Sequence, residues 1–270
     1  MKRSMIIYGV MLYLLSMSVV LAGNKDDWTI PSSKENFHIF FLMGQSNMAG
    51  FAKLLPEDKS PVPHVVKLPT KGDIQWEPAS HPLHNGRQTD RFGLGLAFAK
   101  EYLKDKPGVT VGLIPVAVGG TPIASLHKGS YVYRRAMKKA KYSMKSGTIK
   151  GVLWHQGESD SVNVNFANNY EGKLHQLIED LRSDLKNHKL PFVVGNLGEF
   201  YGEGRKEEHQ QGIKIVKATL RQVPKKVRYT GFVESTGCSA FGRAKVHFNH
   251  KAYIILGKRY AKVYAETVAK

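Results

Sequence analysis

Residues 37–50 read FHIFFLMGQSNMAG. The first half of this stretch is a short apolar run that ends at Gly44, which predicts a buried strand. Ser46 then follows in what we expect to be a tight strand-to-helix turn. Such a turn presents a hydroxyl at the edge of a sheet and points backbone N–H groups at an incoming anion. Taken alone, Ser46 is better explained as a cap of the following helix, a position that serine often occupies.

Apolar runs and helical periodicities alternate along the rest of the chain. Further buried strands are predicted at 109–118, 151–155, 191–195 and 228–233, with short strands near 65–66 and 73–76, and helices at 94–103, 131–144, 166–185, 208–223 and 249–268. This alternation is typical of a three-layer α/β domain with a mostly parallel sheet and helices on both faces. In such sheets the functional site lies at the carboxyl ends of the strands.

The N-terminus has the pattern of a targeting segment. Lys2 and Arg3 precede an uncharged, mostly apolar stretch, and small residues stand at positions 20–22 before a polar segment. This pattern predicts a secretory signal peptide over residues 1–22 and a single mature domain over 23–270. An uncleaved membrane anchor is the alternative. We expect an exported bacterial protein, periplasmic or extracellular, with no stable membrane insertion after cleavage, since no later stretch is apolar enough to span a bilayer.

Composition narrows the functional classes. The 270 residues are 42% hydrophobic and 23% charged, which is ordinary for a globular protein and argues against disorder or a coiled coil. The single cysteine, Cys238, excludes an intramolecular disulfide and a cysteine-cluster zinc site. The net charge of +18 attracts polyanions. No nucleic-acid-binding module is recognisable, so we expect no nucleic-acid partner.

Polar groups follow three further predicted elements. The second long strand ends in AVGGT, residues 117–121, where Gly119 or Gly120 can offer an oxyanion-hole N–H. The third ends in WHQGESD, residues 154–160, where Gln156 can donate to an oxyanion and Glu158 can orient a histidine. His247 precedes the last helix and can act as a general base. Each feature alone has an ordinary structural explanation, but together they provide the parts of a Ser–His–acid hydrolase.

The blocks GQSNM (44–48), AVGGT (117–121) and WHQGESD (154–160) resemble the signatures of the sialate O-acetylesterase-like (SASA) carbohydrate esterases. That group includes the family 6 acetylxylan esterases of the SGNH hydrolase superfamily, and the resemblance covers nearly the whole mature chain. It implies a flavodoxin-like α/β/α fold. It also implies hydrolysis of acetyl esters of xylan, sialic acid or related glycans through an acyl-serine, without a metal or other cofactor.

The resemblance assigns roles residue by residue. It implies Ser46 as nucleophile, His247 as general base and Glu158 as the acid that orients His247. The expected oxyanion hole comprises the Ser46 N–H, an N–H of Gly119 or Gly120 and the Gln156 amide, and the expected substrate contacts are Asn47 and Gln45. Many members of the superfamily carry an acid three residues before the histidine, whereas this chain has Ala244. Either Glu158 supplies the acid, or a dyad remains, or the protein is a glycan-binding relative with impaired catalysis.

The expected substrate is an acetylated oligosaccharide or polysaccharide. We expect the sugar to be selected by the loops at 51–90, 121–131 and 200–210, where Trp76, Tyr131, Tyr133 and Tyr201 are candidate stacking residues. A basic run on the helix predicted at 131–144 reads most simply as a solvated face, and contact with an acidic polysaccharide is the alternative hypothesis. The run comprises Arg134, Arg135, Lys138, Lys139, Lys141 and Lys145.

Overall fold

A seven-stranded sheet forms the centre of the fold in the computed structural model, which describes residues 28–84 and 91–270. The predicted signal peptide, residues 1–22, lies outside the described residues. The strands are β1 (Phe37–Gly44), β2 (Ala52–Lys53), β3 (Val65–Lys67), β4 (Glu77–Pro78), β5 (Arg91–Phe92), β6 (Thr110–Pro115), β7 (Thr148–His155), β8 (Phe192–Gly195), β9 (Thr230–Val233), β10 (Ala240–Phe241) and β11 (His247–Phe248).

The central sheet has the order β4-β3-β6-β1-β7-β8-β9. All neighbouring strands are parallel except β4, which pairs antiparallel with β3 at the edge. Two small antiparallel ribbons, β2–β5 and β10–β11, lie outside it. The mostly parallel sheet of the sequence prediction is therefore confirmed.

The helices are α1 (Ser46–Ala49), α2 (Gly95–Leu103), α3 (Tyr131–Ser143), α4 (Val164–Asn168), α5 (Tyr170–Asp184), α6 (Glu207–Lys226) and α7 (His250–Val268). Single 3₁₀ turns occupy Lys34–Asn36, Pro56–Lys59 and Ile123–Ser125. Within the described part of the chain, no helix combines the length and hydropathy needed to cross a bilayer.

Side chains alternate between the two faces of the sheet along each strand, and their contacts show which helices cover each face. Phe40 of β1 packs edge-on against Phe98 of α2 and Tyr264 of α7, which also pack against each other, so these two helices cover one face. Trp154 of β7 points to the opposite face, where its indole N–H donates to the hydroxyl of Tyr170 in α5. Helices α3 and α6 contact α5 or the strands beside it. The resulting three-layer arrangement confirms the predicted fold class.

Two predicted elements differ from the structure. The helix predicted over 166–185 is broken at Asn169, which ends α4 and begins α5. The Asn169 amide donates back to the carbonyl of Asn165, a local bond that competes with helix continuation. The strand predicted at 73–76 is instead loop, and β4 begins at Glu77. Trp76, in that loop, is buried with its ring edge-on to Phe37.

Candidate active site

Ser46 stands at the carboxyl end of the central strand β1. A Cβ on Gly44, whose φ is +136°, would collide with the carbonyl of His155 at the end of β7, so only glycine allows the two strand ends to lie this close. The Gln45 N–H then donates to that carbonyl (3.0 Å), and α1 begins at Ser46. The sequence therefore turns sharply here and places the hydroxyl at the carboxyl edge of the sheet.

The strand-end serine meets the histidine predicted as its base. His247 lies in β11, which leads into α7, and its Nε2 is 2.9 Å from the Ser46 Oγ. Burial, with the nearby Arg91 charge as a smaller cause, lowers the pKa of His247 from 6.5 to about 4. The imidazole is therefore neutral near pH 7, and in the tautomer with its proton on Nδ1, Nε2 can accept the serine proton.

An aromatic stack fixes the plane of this imidazole. The His247 ring lies parallel to the Phe51 ring, with centroids 3.5 Å apart and an interplanar angle of 6°. The Arg91 guanidinium carbon lies 3.3 Å from the same Phe51 centroid. Two groups this close to one ring must occupy its opposite faces, so Phe51 is sandwiched between the imidazole and the guanidinium. Sequence reasoning gave Phe51 no role, because it is remote from His247 along the chain.

Glu158 does not contact His247, which corrects the expectation that it orients the base directly. Its side chain is buried, and Oε1 accepts from the Asn47 amide at 2.5 Å. Burial raises the pKa of Glu158 from 4.5 to about 7. Among the described residues, no carboxylate bonds to or pairs with His247, and Ala244 is exposed. In the described structure, Ser46 and His247 therefore meet as a hydrogen-bonded pair without a carboxylate partner.

Asn47 links the nucleophile to the histidine loop through the peptides that flank His247. Its Nδ2 donates to the carbonyl of Val246 (3.1 Å), and its Oδ1 accepts from the Phe248 N–H (3.3 Å) and the Tyr253 hydroxyl (3.0 Å). The side chain is 0% exposed. The expectation that Asn47 binds substrate is therefore wrong, because these bonds occupy its amide inside the protein.

Gln45 is also turned inward, which corrects its expected contact with substrate. The side chain is buried, and its Oε1 accepts from the Gln156 amide (3.2 Å) and the Ser159 N–H (3.2 Å). These bonds tie the turn after β1 to the loop after β7. Gln45 therefore positions that loop, because both donors lie beyond the end of β7.

Gln156 does not face the reacting centre, which corrects its expected place in the oxyanion hole. It is buried, and its Nε2 donates to Gln45 Oε1, to the Thr121 carbonyl (3.1 Å) and to Asp160 Oδ2 (2.5 Å). Two amide hydrogens are thus shared among three protein acceptors. Asp160 Oδ2 also accepts from the Ile123 N–H (2.9 Å). The amide therefore joins the loops after β6 and β7, and none of its hydrogens is left for an oxyanion.

The remaining oxyanion-hole candidates lie beside the serine. A Cβ built on Gly119 would stand 3.9 Å from the Ser46 Cβ, and Gly119 and Gly120 are both exposed. Gly120 has a φ of +69°, a conformation that favours glycine. Among the described residues, no protein acceptor takes the N–H of Ser46, Gly119 or Gly120. These groups can therefore stabilise a developing oxyanion.

His155 has a structural role, as its sequence context indicated. It is buried, its Nδ1 lies 3.0 Å from the Tyr260 hydroxyl, and burial lowers its pKa to about 3. Across residues 28–84 and 91–270, no group of three or more His, Cys, Asp or Glu side chains is arranged to hold a metal ion.

Carbohydrate esterases are similar to this chain in sequence and in structure. The family model described as "carbohydrate esterase, sialic acid-specific acetylesterase" matches residues 36–266. An Arabidopsis thaliana protein named a probable carbohydrate esterase is 36% identical over 201 residues, which is 66% of this chain and 75% of the relative. The solved structure of that Arabidopsis protein superposes with a TM-score of 0.74 at 30% identity, covering 86% of this chain and 98% of its own.

Two more distant structures share the fold. NanS superposes with a TM-score of 0.72 at 15% identity, covering 88% of this chain and 99% of NanS. A carbohydrate acetylesterase from Xanthomonas citri superposes with a TM-score of 0.63 at 19% identity, covering 86% of this chain and 56% of that protein. At these low identities the likeness concerns the fold alone.

Proposed function

This chain belongs to the carbohydrate esterase family described as sialic acid-specific acetylesterases, and from that premise we propose that it removes acetyl groups from sugars through an acyl-serine on Ser46. The observation that carries the proposal is the 2.9 Å contact between Ser46 Oγ and His247 Nε2 at the carboxyl edge of the sheet. Ester hydrolysis through an acyl-serine needs a nucleophile, a base and an oxyanion site, and candidates for all three lie at this edge of the sheet.

The reaction proceeds in two halves. Ser46 Oγ attacks the acetyl carbonyl while His247 Nε2 takes its proton, and the N–H groups of Ser46 and Gly119 or Gly120 stabilise the oxyanion. Collapse of the tetrahedral intermediate breaks the ester bond, and Nε2 returns the proton to the departing sugar hydroxyl. Water then attacks the acetyl-serine with His247 again as base, and acetate leaves with Ser46 regenerated.

In the part of the chain that the structure describes, groups other than a carboxylate hold the imidazole. Stacking on Phe51 fixes the ring plane, and Asn47 holds the peptides on both sides of His247. Among residues 28–84 and 91–270, no carboxylate is placed to stabilise the imidazolium that forms in the transition state, so we expect a slower reaction than that of a complete triad.

Acetate release from acetylated xylan and from O-acetylated sialic acid tests the proposal. We expect turnover by the wild type and a loss of at least about 10³-fold in His247→Ala, the scale on which such residues contribute. His247→Gln is the matched control, since it keeps a polar side chain of similar reach without a titratable base. Turnover that is unchanged in both variants contradicts the proposed base.

The described residues place no carboxylate on His247, which also favours a second candidate, a glycan-binding relative with impaired catalysis. Failure of the folded wild type to hydrolyse p-nitrophenyl acetate or any acetylated sugar, together with binding of those sugars, supports it. A lipid or thioester hydrolase is distinguished by chain length. Rates that fall steeply from acetate to octanoate esters support sugar deacetylation, whereas a preference for octanoate contradicts it.

We also propose that the protein is exported, to the periplasm or beyond the cell, on the strength of the signal-peptide pattern in residues 1–22. N-terminal sequencing of the protein expressed with its full sequence tests this. A mature terminus near Gly23 supports export, and an intact Met1 in the cytoplasmic fraction contradicts it.

A further inference from the structure

A cavity of about 250 Å³ opens next to the proposed oxyanion hole, between the end of β6 and the start of α3. Val118 lines it, and the next residue, Gly119, lies beside Ser46, so the cavity adjoins the hole. A substrate chain whose acetyl group reaches Ser46 can therefore place a neighbouring sugar in this cavity.

The cavity combines an apolar rim with positive charge. Tyr131 is 66% exposed and Val118 is 44% exposed, so both present apolar surface to a ligand in the cavity. Lys71, Arg135 and Lys139 also line it, and among the described residues that line it none carries a carboxylate. An aromatic face beside cationic groups suits a sugar ring that bears a negative charge.

Two of these three cations, Arg135 and Lys139, are held in place by hydrogen bonds. The Arg135 guanidinium donates to the carbonyl of Thr70, and its carbon lies 5.4 Å from the Tyr131 ring centroid. Lys139 is buried, and its Nζ donates to the Pro115 carbonyl at 2.9 Å. Burial, with the charges of Arg135 and Lys67 as smaller causes, lowers the pKa of Lys139 from 10.5 to about 8. An anion in the cavity relieves this repulsion.

Positive charge continues from the cavity along α3. Arg134, Lys138 and Lys141 follow at helical spacing and are exposed, and residues 128–150 contain no Asp or Glu. In the described part of the chain, none of these three cations forms an ion pair. A polyanionic chain that leaves the cavity along α3 therefore meets positive charge throughout.

Of the four aromatic residues considered for sugar stacking, Tyr131 is the exposed one. Trp76, Tyr133 and Tyr201 are buried, and the hydroxyl of Tyr133 donates to Asp184 at 2.7 Å. Stacking by these three is therefore contradicted, and the exposed aromatic surface among the four coincides with the cationic cavity.

We infer that this cavity is a subsite for a carboxylated sugar that neighbours the acetylated sugar in the substrate chain, with Tyr131 under the sugar ring and Arg135 and Lys71 on its carboxylate. The subsite makes acetylated, uronate-containing polysaccharides the preferred substrate class. This inference rests on the proposed function for its catalytic meaning, but the binding it predicts is independent of turnover.

Calorimetric titration of Ser46→Ala with unacetylated penta-galacturonate and with neutral xylopentaose tests the subsite without catalysis. We expect the acidic oligosaccharide to bind at least about 10-fold more tightly, the scale of one hydrogen bond to a charged group. The preference should weaken at high salt, because ions screen charges at a surface. Equal affinity for the two oligosaccharides, or binding of neither, overturns the inference.

Substitutions in the cavity test whether the acidic oligosaccharide binds there. Adding Lys71→Gln and Tyr131→Ala, both at exposed positions, to the Ser46→Ala protein should reduce its affinity for penta-galacturonate about 10- to 100-fold. The matched control is Lys258→Gln with Lys262→Gln, two exposed lysines of α7 on the other face of the sheet, which should leave it unchanged. An equal effect of both pairs overturns the subsite and leaves only a general charge effect.

Turnover separates this inference from the proposed function. With Ser46 intact, hydrolysis of methyl acetate, which has neither a ring nor a carboxylate to occupy the subsite, should survive Lys71→Gln with Tyr131→Ala. By contrast, kcat/KM for acetylated oligogalacturonate should fall about 10-fold or more. If galacturonate binds at the subsite but no ester is hydrolysed, the proposed function fails and the subsite stands. If all esters are hydrolysed equally by wild type and variant, the subsite fails and the proposed function stands.

Discussion

Replacing Arg91 by Met removes a positive charge that faces His247 across the Phe51 ring. The guanidinium carbon and the imidazole centroid lie 3.3 Å and 3.5 Å from the Phe51 centroid on opposite sides, so about 7 Å separates them. Coulomb's law gives about 2.4 kcal/mol at an effective dielectric constant of about 20 and about 0.6 kcal/mol at about 80. At about 1.4 kcal/mol per pKa unit, the His247 pKa should rise by about 0.4 to 1.7 units.

The pKa of His247 in the free enzyme sets the acidic limb of kcat/KM against pH, because only the neutral imidazole accepts the serine proton. For the wild type that limb should lie near pH 4, where burial and Arg91 place the pKa. In Arg91→Met it should move to higher pH, and the ¹H NMR titration of His247, identified by its loss in His247→Ala, should move with it. Salt should reduce the difference.

Arg91→Lys is the matched control, since it keeps the charge while losing the planar stack. The acidic limb of its kcat/KM profile should lie closer in pH to that of the wild type than to that of Arg91→Met. Circular dichroism should confirm that each protein is folded at each pH. A wild-type limb near pH 6.5, or identical limbs in the Met and Lys variants, would refute the electrostatic account of this base.

Three further substitutions probe the groups behind the dyad. The pKa of Glu158 rises from 4.5 unfolded to about 7 folded, so its contribution to stability is complete below pH 4.5 and is lost as pH rises through 7, by up to about 3 kcal/mol. Urea unfolding should therefore show wild-type stability declining relative to Glu158→Gln between pH 5 and 8, and parallel profiles would contradict a buried carboxyl with a raised pKa. Asn47→Ala removes the bonds to both peptides beside His247. It should lower kcat by about 10²-fold with KM nearly unchanged, as expected for a misplaced base. A variant with the wild-type kcat would show that Asn47 does not position His247. Ala244→Asp should raise the His247 pKa and increase kcat/KM at pH 7, with Ala244→Asn as the uncharged control, and equal rates in the two variants would show that a carboxylate at this position does not reach the base.

The fold was predictable because its signals are local. The run at 37–43 and the alternation of strands and helices fix an α/β sheet, and glycine at position 44 marks the turn that exposes Ser46. The break at Asn169 was not predicted because the apolar stripe continues across it, while the side-chain bond from Asn169 to the Asn165 carbonyl competes with helix continuation. Periodicity reports which face is buried but not whether the backbone is continuous.

The site was predictable in its residues and less so in its contacts. Ser46 and His247 do meet, since both were expected at carboxyl-end loops of one sheet. Glu158, Asn47 and Gln156 were assigned direct roles because they lie in the sequence blocks that carry the family resemblance. In the structure Asn47 bonds to Glu158 and to the histidine loop, and Gln156 bonds to Gln45 and to the loop after β6. These contacts are set by packing between segments that are distant along the chain. No local pattern in the sequence encodes these contacts.

Every other role proposed for this site depends on Ser46 being the nucleophile of an acetylesterase. The most direct measurement is the initial rate of acetate release from p-nitrophenyl acetate and acetylated xylan by wild type and by Ser46→Ala, both checked for folding. The account predicts turnover by the wild type and a loss of at least about 10³-fold in the variant on both substrates. A Ser46→Ala protein that releases acetate at the wild-type rate would contradict it.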